Sequence, residues 1–375
     1  MFKEQNVFFI TKNDRFFYLY ADALIHKANT LPEKIKAVVF DCIGDLSDGN
    51  FDKVPGVDYL NYDESMLSQL EEARTITFMS LNQVNSTMVR KVIDHSENIL
   101  RKTYIFLTDD EIDRWHHSIE KYGGIVPSKK LAIAKDDIYV TERIVNFIGH
   151  EKTFYNRVTS ALGRNDINFV DAGVIFDTLP NNIITPLNDA ILKSEQLAGK
   201  ERKILIGTKQ KSFNLSEIRS MLFSLCQNNV GESYKILIMW HKKHRKQRML
   251  LDLYITWLRH IKRQTIDISY VTALSPVAYT SLISSCSHIV LQRRGGASTV
   301  RSYLKLGKGI ICIPKSSENE FGFKDALGLD IVSFESTDEL ILGILNSKID
   351  VLLNAEKTIA EEKRSIGVLK VIYSS

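Results

Sequence analysis

Short apolar runs alternate with longer mixed segments along the whole chain. In the first half the runs have the length of strands, and helical stretches such as 14–27 and 83–95 lie between them; they are Asn6–Thr11, Ile35–Asp41, Arg74–Ser80 and Lys102–Thr108. Buried strands that are separated by helices are typical of a parallel sheet with right-handed crossovers. The first half therefore predicts a doubly wound α/β domain.

The alternation stops and then restarts in the second half. The stretch from Phe176 to Glu201 is polar and poorly periodic, and we interpret it as a linker region. Further apolar runs follow with helices between them; they are Lys203–Gly207, Lys235–Trp240, Ile266–Val271, His288–Gln292 and Gly309–Pro314. This pattern predicts a second doubly wound α/β domain after the linker.

Three parts are expected along the chain. Residues 1–185 and residues 186–345 form two Rossmann-like domains, and residues 346–375 form a C-terminal helix that packs back on the first domain. The tail from Thr337 is predicted to be helical to near Ile366. Two Rossmann-like domains facing across a cleft place the carboxyl ends of both sets of strands at that cleft, where open α/β sheets bind ligands.

Composition and charge exclude several classes of protein. The chain has 375 residues, 44% hydrophobic and 25% charged, which is an ordinary balance for two globular domains. A net charge of +4 is too small to indicate nucleic acid, and no nucleic-acid partner is expected. The cysteines show no C-x-x-C spacing and are interpreted as reduced core residues. Without a signal peptide or a membrane-spanning run, the expected location is cytoplasmic, with peripheral attachment to the inner face of a membrane left open.

The most informative segment is the loop Gln292-Arg293-Arg294-Gly295-Gly296-Ala297-Ser298-Thr299. Small residues open a helix directly after a buried strand, and two guanidinium groups precede them. Glycines let a ligand approach the backbone closely, and the first helical turn offers free N–H groups to an anion such as a diphosphate. The alternative is a plain tight turn with solvated arginines. The loop matches neither a dinucleotide fingerprint nor a P-loop.

Two other loops are candidates for the same ligand. The segment Gly207-Thr208-Lys209-Gln210-Lys211-Ser212-Phe213-Asn214 follows a strand and ends at a helix start, with lysines and hydroxyls that suit a diphosphate. Glu318 and Asn319 follow a later strand and could hold ribose or sugar hydroxyls. The alternatives are a hydrophilic capped loop for the first segment and a solvated loop for the second.

Acidic residues of the first half are candidates for a catalytic base. The turn Thr108-Asp109-Asp110-Glu111 follows a strand and begins a helix, so that one of its carboxylates could deprotonate an acceptor hydroxyl, and we assign this role to Asp109 or Asp110. The alternative is simple stabilisation of the helix start by carboxylates. Asp45 and Asp48 are weaker candidates of the same kind. No metal site is expected, because the pair at 116–117 has no third ligand at helical spacing.

The densest charge cluster is the basic run of residues 241–246, together with Arg248. It could contact nucleotide phosphates, anionic lipid headgroups or RNA. The alternative is a solvated helix start, although cations near a helix N-terminus are electrostatically unfavourable.

The second half resembles the Fuc4NAc transferases of enterobacterial common antigen synthesis. The resemblance covers roughly a third of the chain and is carried by Ile204–Ser216, Pro276–Leu291, Gly295–Thr299, Leu304–Ile313, Glu318-Asn319 and Phe321, with Ile105–Asp110 in the first half. The Arg293-Arg294 pair and the basic run are not typical of that family.

The resemblance implies a metal-independent, hexosyl-type glycosyltransferase with the GT-B fold. In that scheme residues 1–185 are the acceptor-binding domain and residues 186–345 the nucleotide-sugar-binding domain. It implies a nucleotide-diphosphate sugar as donor substrate, no cofactor, and a glycan or lipid-linked glycan acceptor in bacterial surface glycan synthesis. Within that scheme the leaving diphosphate is stabilised by Arg293, Arg294, Lys209, Lys211 and the amides of Gly295–Ser298. Two alternatives stay open: a sugar-nucleotide epimerase on the same fold, and a binding protein for RNA or an acidic partner that uses residues 241–248.

Overall fold

The computed structural model describes residues 1–12, 14–41, 46, 52–197, 202–209, 212–241, 243–272 and 274–374, with the backbone alone for 194–197. Asp45, Asp48, Cys42, Lys211 and Lys242 therefore lie outside the described residues. The chain divides into two compact units. Unit 1 consists of Met1–Phe176 and Glu362–Ser375, and unit 2 consists of Asp177–Glu361.

Unit 1 is built on a seven-stranded sheet whose order is β3-β2-β1-β4-β5-β6-β7. Every neighbouring pair is parallel. The strands are β1 (Asn6–Ile10), β2 (Ile35–Val39), β3 (Asp58–Asn61), β4 (Thr75–Met79), β5 (Thr103–Phe106), β6 (Asn146–Gly149) and β7 (Asn168–Asp171). Because the order reverses between β1 and β4, unit 1 has its topological switch point there.

The helices of unit 1 are α1 (Arg15–His26), α2 (Met66–Gln69), α3 (Ser86–Ile93), α4 (Glu97–Arg101), α5 (Asp109–Tyr122), α6 (Lys135–Arg143) and α7 (Glu151–Leu162), with short 3-10 turns at Pro32–Lys34 and Leu70–Glu72. Two hydrophobic clusters form the core of the unit. Trp115 and Phe78 belong to one cluster, and Tyr20, Phe8 and Tyr373 belong to the other.

Unit 2 is built on a six-stranded parallel sheet with the order β10-β9-β8-β11-β12-β13. Its strands are β8 (Arg202–Ile206), β9 (Tyr234–Met239), β10 (Asp267–Val271), β11 (His288–Val290), β12 (Ile310–Pro314) and β13 (Val332–Phe334). This is the strand order of a Rossmann domain, with the switch point between β8 and β11.

The helices of unit 2 are α8 (Asn181–Leu197), α9 (Leu215–Gln227), α10 (Val230–Ser233), α11 (Arg245–His260), α12 (Pro276–Ser284), α13 (Ala297–Leu304), α14 (Glu318–Glu320), a π-helical turn (Phe321–Ala326), α15 (Thr337–Asn346) and α16 (Val351–Tyr373). Helix α16 belongs to unit 2 up to Glu361 and to unit 1 from Glu362. Cys226, Cys286 and Cys312 are free and buried, as predicted for core residues. No helix in the described part of the chain is long and apolar enough to cross a membrane.

The predicted strands and their parallel arrangement are confirmed. The boundary between the two units, at Phe176 and Asp177, lies at the start of the stretch interpreted as a linker, and that stretch contains helix α8 with Pro186 inside it. The prediction for the C-terminal tail was wrong. The tail is not one helix: it divides into α15 and α16, and the second runs on to Tyr373. The break has a local cause, because Asp350 Oδ1 accepts a hydrogen bond from the Leu353 amide at 2.9 Å and so caps a new helix.

Candidate functional site

The sheet of unit 2 brings two loops together at its switch point. Strands β8 and β11 are direct neighbours in the sheet. After β8 the chain continues to β9 on one side of this pair, and after β11 it continues to β12 on the other side. The described residues of the segment after β8 (residues 207–209 and 212–214, the β8 loop) and the segment after β11 (residues 291–296, the glycine loop) therefore leave the sheet side by side at its carboxyl edge. Ligands of open α/β sheets bind at this position.

The side chain of Gln292 connects the two loops by hydrogen bonds. This side chain is buried, and its Oε1 accepts a hydrogen bond from the Thr208 amide at 3.2 Å. Its Nε2 donates to the Gly295 carbonyl at 2.7 Å. Tyr279 adds a further support, because its hydroxyl donates to the Thr208 carbonyl at 2.6 Å. Neither residue was among the predicted ligands, and both hold the loops in place.

The glycines of the two loops have a left-handed backbone. Gly207, Gly295 and Gly296 have φ values of 78°, 76° and 85°, in the left-handed region that favours glycine. A Cβ on Gly295 would lie 2.5 Å from Lys209 Nζ. A Cβ on Gly296 would overlap Thr208 Oγ1 and lie 3.0 Å from Gln292 Nε2. The close approach of the two loops therefore requires glycine at Gly296. At Gly295 the neighbour is the flexible end of Lys209, and it is the left-handed backbone that favours glycine.

Helix α13 begins directly after the glycine loop, with Gly296 at its N-cap position. Ala297, Ser298 and Thr299 form the first turn of this helix. The N–H groups of a first turn have no partner within the helix, and the helix dipole favours an anion there. The loop and the helix thus present backbone donors at the edge where Lys209 also lies.

The two arginines of the glycine loop are at the surface. Arg293 Nη1 donates to the Lys315 carbonyl at 3.3 Å. Arg294 Nε lies 3.5 Å from Glu318 Oε2, and both side chains are exposed. Glu318 was predicted to hold sugar hydroxyls, and the structure places its carboxylate beside Arg294. An anionic ligand would compete with this carboxylate for the guanidinium of Arg294.

Other predicted residues support the loops from within the protein. Asn319 is buried, and its Nδ2 donates to the carbonyls of Gln292 and Gly295 at 2.6 and 3.1 Å. Asn214 caps α9, since its Oδ1 accepts from the Glu217 amide at 2.9 Å. Ser212 Oγ accepts from the Lys209 amide at 3.1 Å and closes the β8 loop. These three side chains are already engaged by the protein.

Unit 1 has a pocket of about 270 Å³ at the carboxyl ends of β4 and β5. It is lined by Phe16, Met79, Ser80, Asn82, Phe106, Thr108, Asp110, Glu111 and Arg114. Ser80 has a φ of 69°, a strained value for a residue other than glycine. Such strain is often found at functional sites. The exposed ring of Phe16 adds apolar surface to the lining of this pocket.

The structure distinguishes Asp110 from Asp109, which the sequence alone did not. Asp110 lines the pocket, whereas Asp109 does not. Arg114 Nε lies 3.2 Å from Asp110 Oδ2. Arg114 is itself fixed by the carbonyls of Leu81 and Ala132, each at 2.7 Å from its terminal nitrogens. Asp110 is thus an exposed carboxylate held beside the pocket by an anchored cation.

Glu111, the third carboxylate of the same turn, also lines the pocket. It is fully buried, and its carboxylate accepts hydrogen bonds from the amide and the hydroxyl of Thr108, which form a capping box at the start of α5. Burial raises the pKa of Glu111 to about 7, against the lowering effect of the Thr108 hydrogen bonds. Both carboxylate oxygens of Glu111 accept the capping hydrogen bonds of Thr108, so Glu111 holds in place the turn that carries Asp110.

Comparison with solved structures shows which fold these two units form. A UDP-forming trehalose-phosphate synthase from Burkholderia xenovorans aligns with a TM-score of 0.58 at 8% identity, over 98% of this chain and 97% of that one. HepE of Anabaena, in complex with UDP and glucose, aligns at 0.59 and 10% identity over 98% of both chains. WaaG, a glycosyltransferase involved in lipopolysaccharide biosynthesis, aligns at 0.57 and 9% identity over 99% of this chain and 100% of that one.

The chain has the GT-B fold. No protein-family model matches the sequence. No curated protein matches it either. The similarity to these proteins is therefore a similarity of fold: like them, the chain contains two successive Rossmann-like units. In the described part of this GT-B chain, no three His, Cys, Asp or Glu side chains come together as metal ligands would.

Replacing Glu111 with glutamine should stabilise the protein at pH 8 and have little effect near pH 4. The folded pKa is about 7, and the ordinary value is 4.5. Between these two values the unfolded chain has lost a proton that the folded protein keeps, so stability falls as the pH rises. Glutamine cannot ionise and removes this penalty, which amounts to about 3 kcal/mol above pH 7. Its Nε2 can donate to Thr108 Oγ1 as a protonated carboxyl would.

The measurement is the difference in melting temperature between variant and wild type from pH 4 to pH 8. Glu120→Gln, at an exposed position of the same helix, is the matched control and should show no such trend. A difference for Glu111→Gln that does not widen as the pH rises would contradict the assigned pKa.

The basic run lies on the carboxyl edge of unit 2, directly after β9. His241 Nδ1 accepts from the Lys243 amide at 3.0 Å, and helix α11 begins at Arg245. Arg248 lies over the Tyr270 ring and 3.8 Å from Asp252 Oδ2. The described part of the run is therefore a turn and a helix start.

Proposed function

We propose that this protein is a glycosyltransferase that moves a sugar from a nucleoside-diphosphate donor to a hydroxyl acceptor. The observation that carries the proposal is the pairing of the β8 loop and the glycine loop at the switch point of unit 2. The pairing gives a glycine-lined backbone, a helix start and cationic side chains at one edge of the sheet. This is the arrangement that binds phosphates in Rossmann-like domains. The UDP bound to HepE and the UDP formed by the trehalose-phosphate synthase support the same ligand class.

On this proposal unit 2 binds the donor and stabilises its leaving group. When the bond from the anomeric carbon to the diphosphate breaks, negative charge develops on the diphosphate oxygens. Lys209, Arg293, Arg294 and the amides of Gly295–Ser298 meet that charge. Arg294 exchanges its ion-pair partner in this step: its guanidinium leaves the Glu318 carboxylate and binds a phosphate oxygen. Lys211 belongs to the same proposal from sequence alone.

Unit 1 binds the acceptor in the pocket beside β4 and β5. The acceptor oxygen forms a bond to the anomeric carbon, and its proton passes to Asp110. Asp110 is preferred to Asp109 because only Asp110 lines the pocket. The neutral polar groups of Ser80 and Asn82, with the ring of Phe16, suit an uncharged glycan hydroxyl and the face of a sugar ring.

The finer assignment follows the resemblance to the Fuc4NAc transferases. It makes dTDP-sugars the first donors to try, and a glycan or lipid-linked glycan the first acceptor. A role in bacterial surface glycan synthesis is in keeping with WaaG, whose own pathway is lipopolysaccharide biosynthesis.

Arg294→Ala should weaken nucleoside-diphosphate binding about ten- to 100-fold, since a hydrogen bond to a charged group contributes about 1.5–3 kcal/mol. Arg294→Lys should restore part of the loss, because lysine keeps the charge without the fork of donors. Titration calorimetry measures both. Arg219→Ala, at an exposed position of α9, is the control. Near-normal donor turnover by Arg294→Ala would refute its place in the site.

The test of the function is a thermal-shift screen of the whole chain with UDP, dTDP, GDP, CMP and ADP, followed by transfer assays with the matching nucleotide sugar. A ligand at about 100 times its Kd stabilises the protein by about 2.7 kcal/mol. A selective shift with acceptor-dependent release of nucleoside diphosphate is the expected result. Conversion of the donor without any acceptor would instead identify an epimerase, and no shift with any nucleotide would contradict the proposal.

A further inference from the structure

Helix α11 of unit 2 turns apolar side chains both inward and outward. Its inward side is buried in the core through Leu251, Ile255 and Leu258. On the opposite side Met249, Leu250 and Leu253 are 59%, 51% and 61% exposed. Single exposed apolar residues are normal on a protein surface, but a cluster within two turns of one helix marks an interaction site.

The same outward side is basic. Arg245 and Lys246 are exposed in the first turn of α11, and neither meets a carboxylate in the described part of the chain. Asp252 is the acidic residue of this helix, and it lies to one side, where its Oδ1 accepts from the Tyr270 hydroxyl at 2.7 Å. We name Arg245, Lys246, Met249, Leu250 and Leu253 the α11 face.

The α11 face is unfavourable for the isolated protein. Cations in a first turn oppose the helix dipole, and the exposed side chains forgo the hydrophobic gain of burial. Both costs disappear when the face meets a surface that is negatively charged outside and apolar beneath. RNA is an anionic polymer and could bind the two cations, but it has no apolar interior in which Met249, Leu250 and Leu253 could be buried.

We propose that the α11 face docks on the surface of a lipid bilayer that contains anionic headgroups. Arg245 and Lys246 meet the headgroup phosphates, while Met249, Leu250 and Leu253 enter the boundary between headgroups and acyl chains. Helix α11 then lies in the plane of the interface without spanning it. The neighbouring turn at Lys243 and His244, which is also basic, extends the contact towards the carboxyl edge of the sheet.

The experiment is sedimentation of the whole chain with vesicles of phosphatidylcholine alone and of phosphatidylcholine mixed with phosphatidylglycerol. The wild type should bind the mixed vesicles and leave the neutral ones in solution. Binding should weaken as salt is added, because salt screens the attraction between exposed charges.

Two double variants separate the charged and the apolar contributions. Arg245→Glu with Lys246→Glu, and Met249→Gln with Leu253→Gln, should each weaken vesicle binding by more than about tenfold. The glutamates suit the start of a helix, so the first variant should fold normally. Leu342→Gln with Leu345→Gln on α15, where the leucines are 57% and 47% exposed, is the matched control and should bind like the wild type.

Three results would overturn the proposal: no binding of the wild type to mixed vesicles, unchanged binding by both α11 variants, or a loss confined to the charge variant. The last result, with competition by an RNA oligomer, would indicate a polyanion in place of a bilayer. Vesicle binding requires no donor turnover, so the failure of this proposal and the failure of the proposed function are distinguishable.

Discussion

Asp110→Asn should lower kcat by about 10²- to 10⁴-fold, the range that a positioned general base contributes. Asparagine has nearly the shape of aspartate but cannot accept the acceptor's proton. The binding of donor nucleotide should stay unchanged, because Asp110 belongs to unit 1 and the donor loops to unit 2. Arg114 keeps its bonds to the carbonyls of Leu81 and Ala132, so the fold should survive the substitution.

The neighbouring aspartate supplies the control for this experiment. Asp109→Asn changes the same chemical group one residue away, outside the lining of the pocket, and should keep most of its activity. Steady-state kinetics of both variants, with melting temperatures to exclude unfolding, compare the two positions directly. Full activity of Asp110→Asn would remove Asp110 as the base, and a loss confined to Asp109→Asn would reverse the assignment.

Gly296→Ala should weaken nucleoside-diphosphate binding by more than about 100-fold. A left-handed backbone costs an alanine about 1–2 kcal/mol, and every 1.4 kcal/mol is tenfold in affinity. The new methyl group would also overlap Thr208 Oγ1 and press on Gln292 Nε2, which join the two donor loops. The loops must therefore separate, and the amides of the first turn of α13 lose their alignment.

Two other glycines test the separate parts of that argument by the same titration. Gly163 has a φ of 62° with no neighbour within 4 Å of an added Cβ, so Gly163→Ala introduces strain without overlap in unit 1. Gly322→Ala adds a methyl group to open space in unit 2. Both should bind nucleotide like the wild type. Wild-type affinity in Gly296→Ala would show that the glycine loop is only a turn.

The glycine loop could be predicted from the sequence because its signals are local. Adjacent glycines after a buried strand and before a helix report both the backbone geometry and the place at the carboxyl edge. Gln292 and Tyr279 could not be identified in this way. Their partner is Thr208, distant along the chain, and only the pairing of β8 with β11 brings it to them.

The acidic turn of unit 1 shows a different limit. The pattern Thr108 to Glu111 predicts a helix start, and three successive carboxylates look equivalent in sequence. Their difference arises from the packing of α5, which buries Glu111 and leaves Asp110 beside the pocket. Strands β3, β6, β7 and β13 were missed. Strands β3, β7 and β13 lie at the edges of their sheets, and β3 and β7 are only partly buried, so these two lack the continuous apolar runs of the central strands. Strand β6 is buried, but with four residues it is short.

Hydrogen exchange of the whole chain, with and without the nucleoside diphosphate that gives the largest thermal shift, tests the donor site most directly. Saturating ligand should slow exchange in the peptides that cover Thr208–Lys209 and Gly295–Thr299, and the Gly296→Ala variant should lose that protection. Protection that is confined to unit 1, or the absence of protection at both donor loops while ligand is bound, would contradict the assignment of unit 2 as the nucleotide-sugar-binding unit.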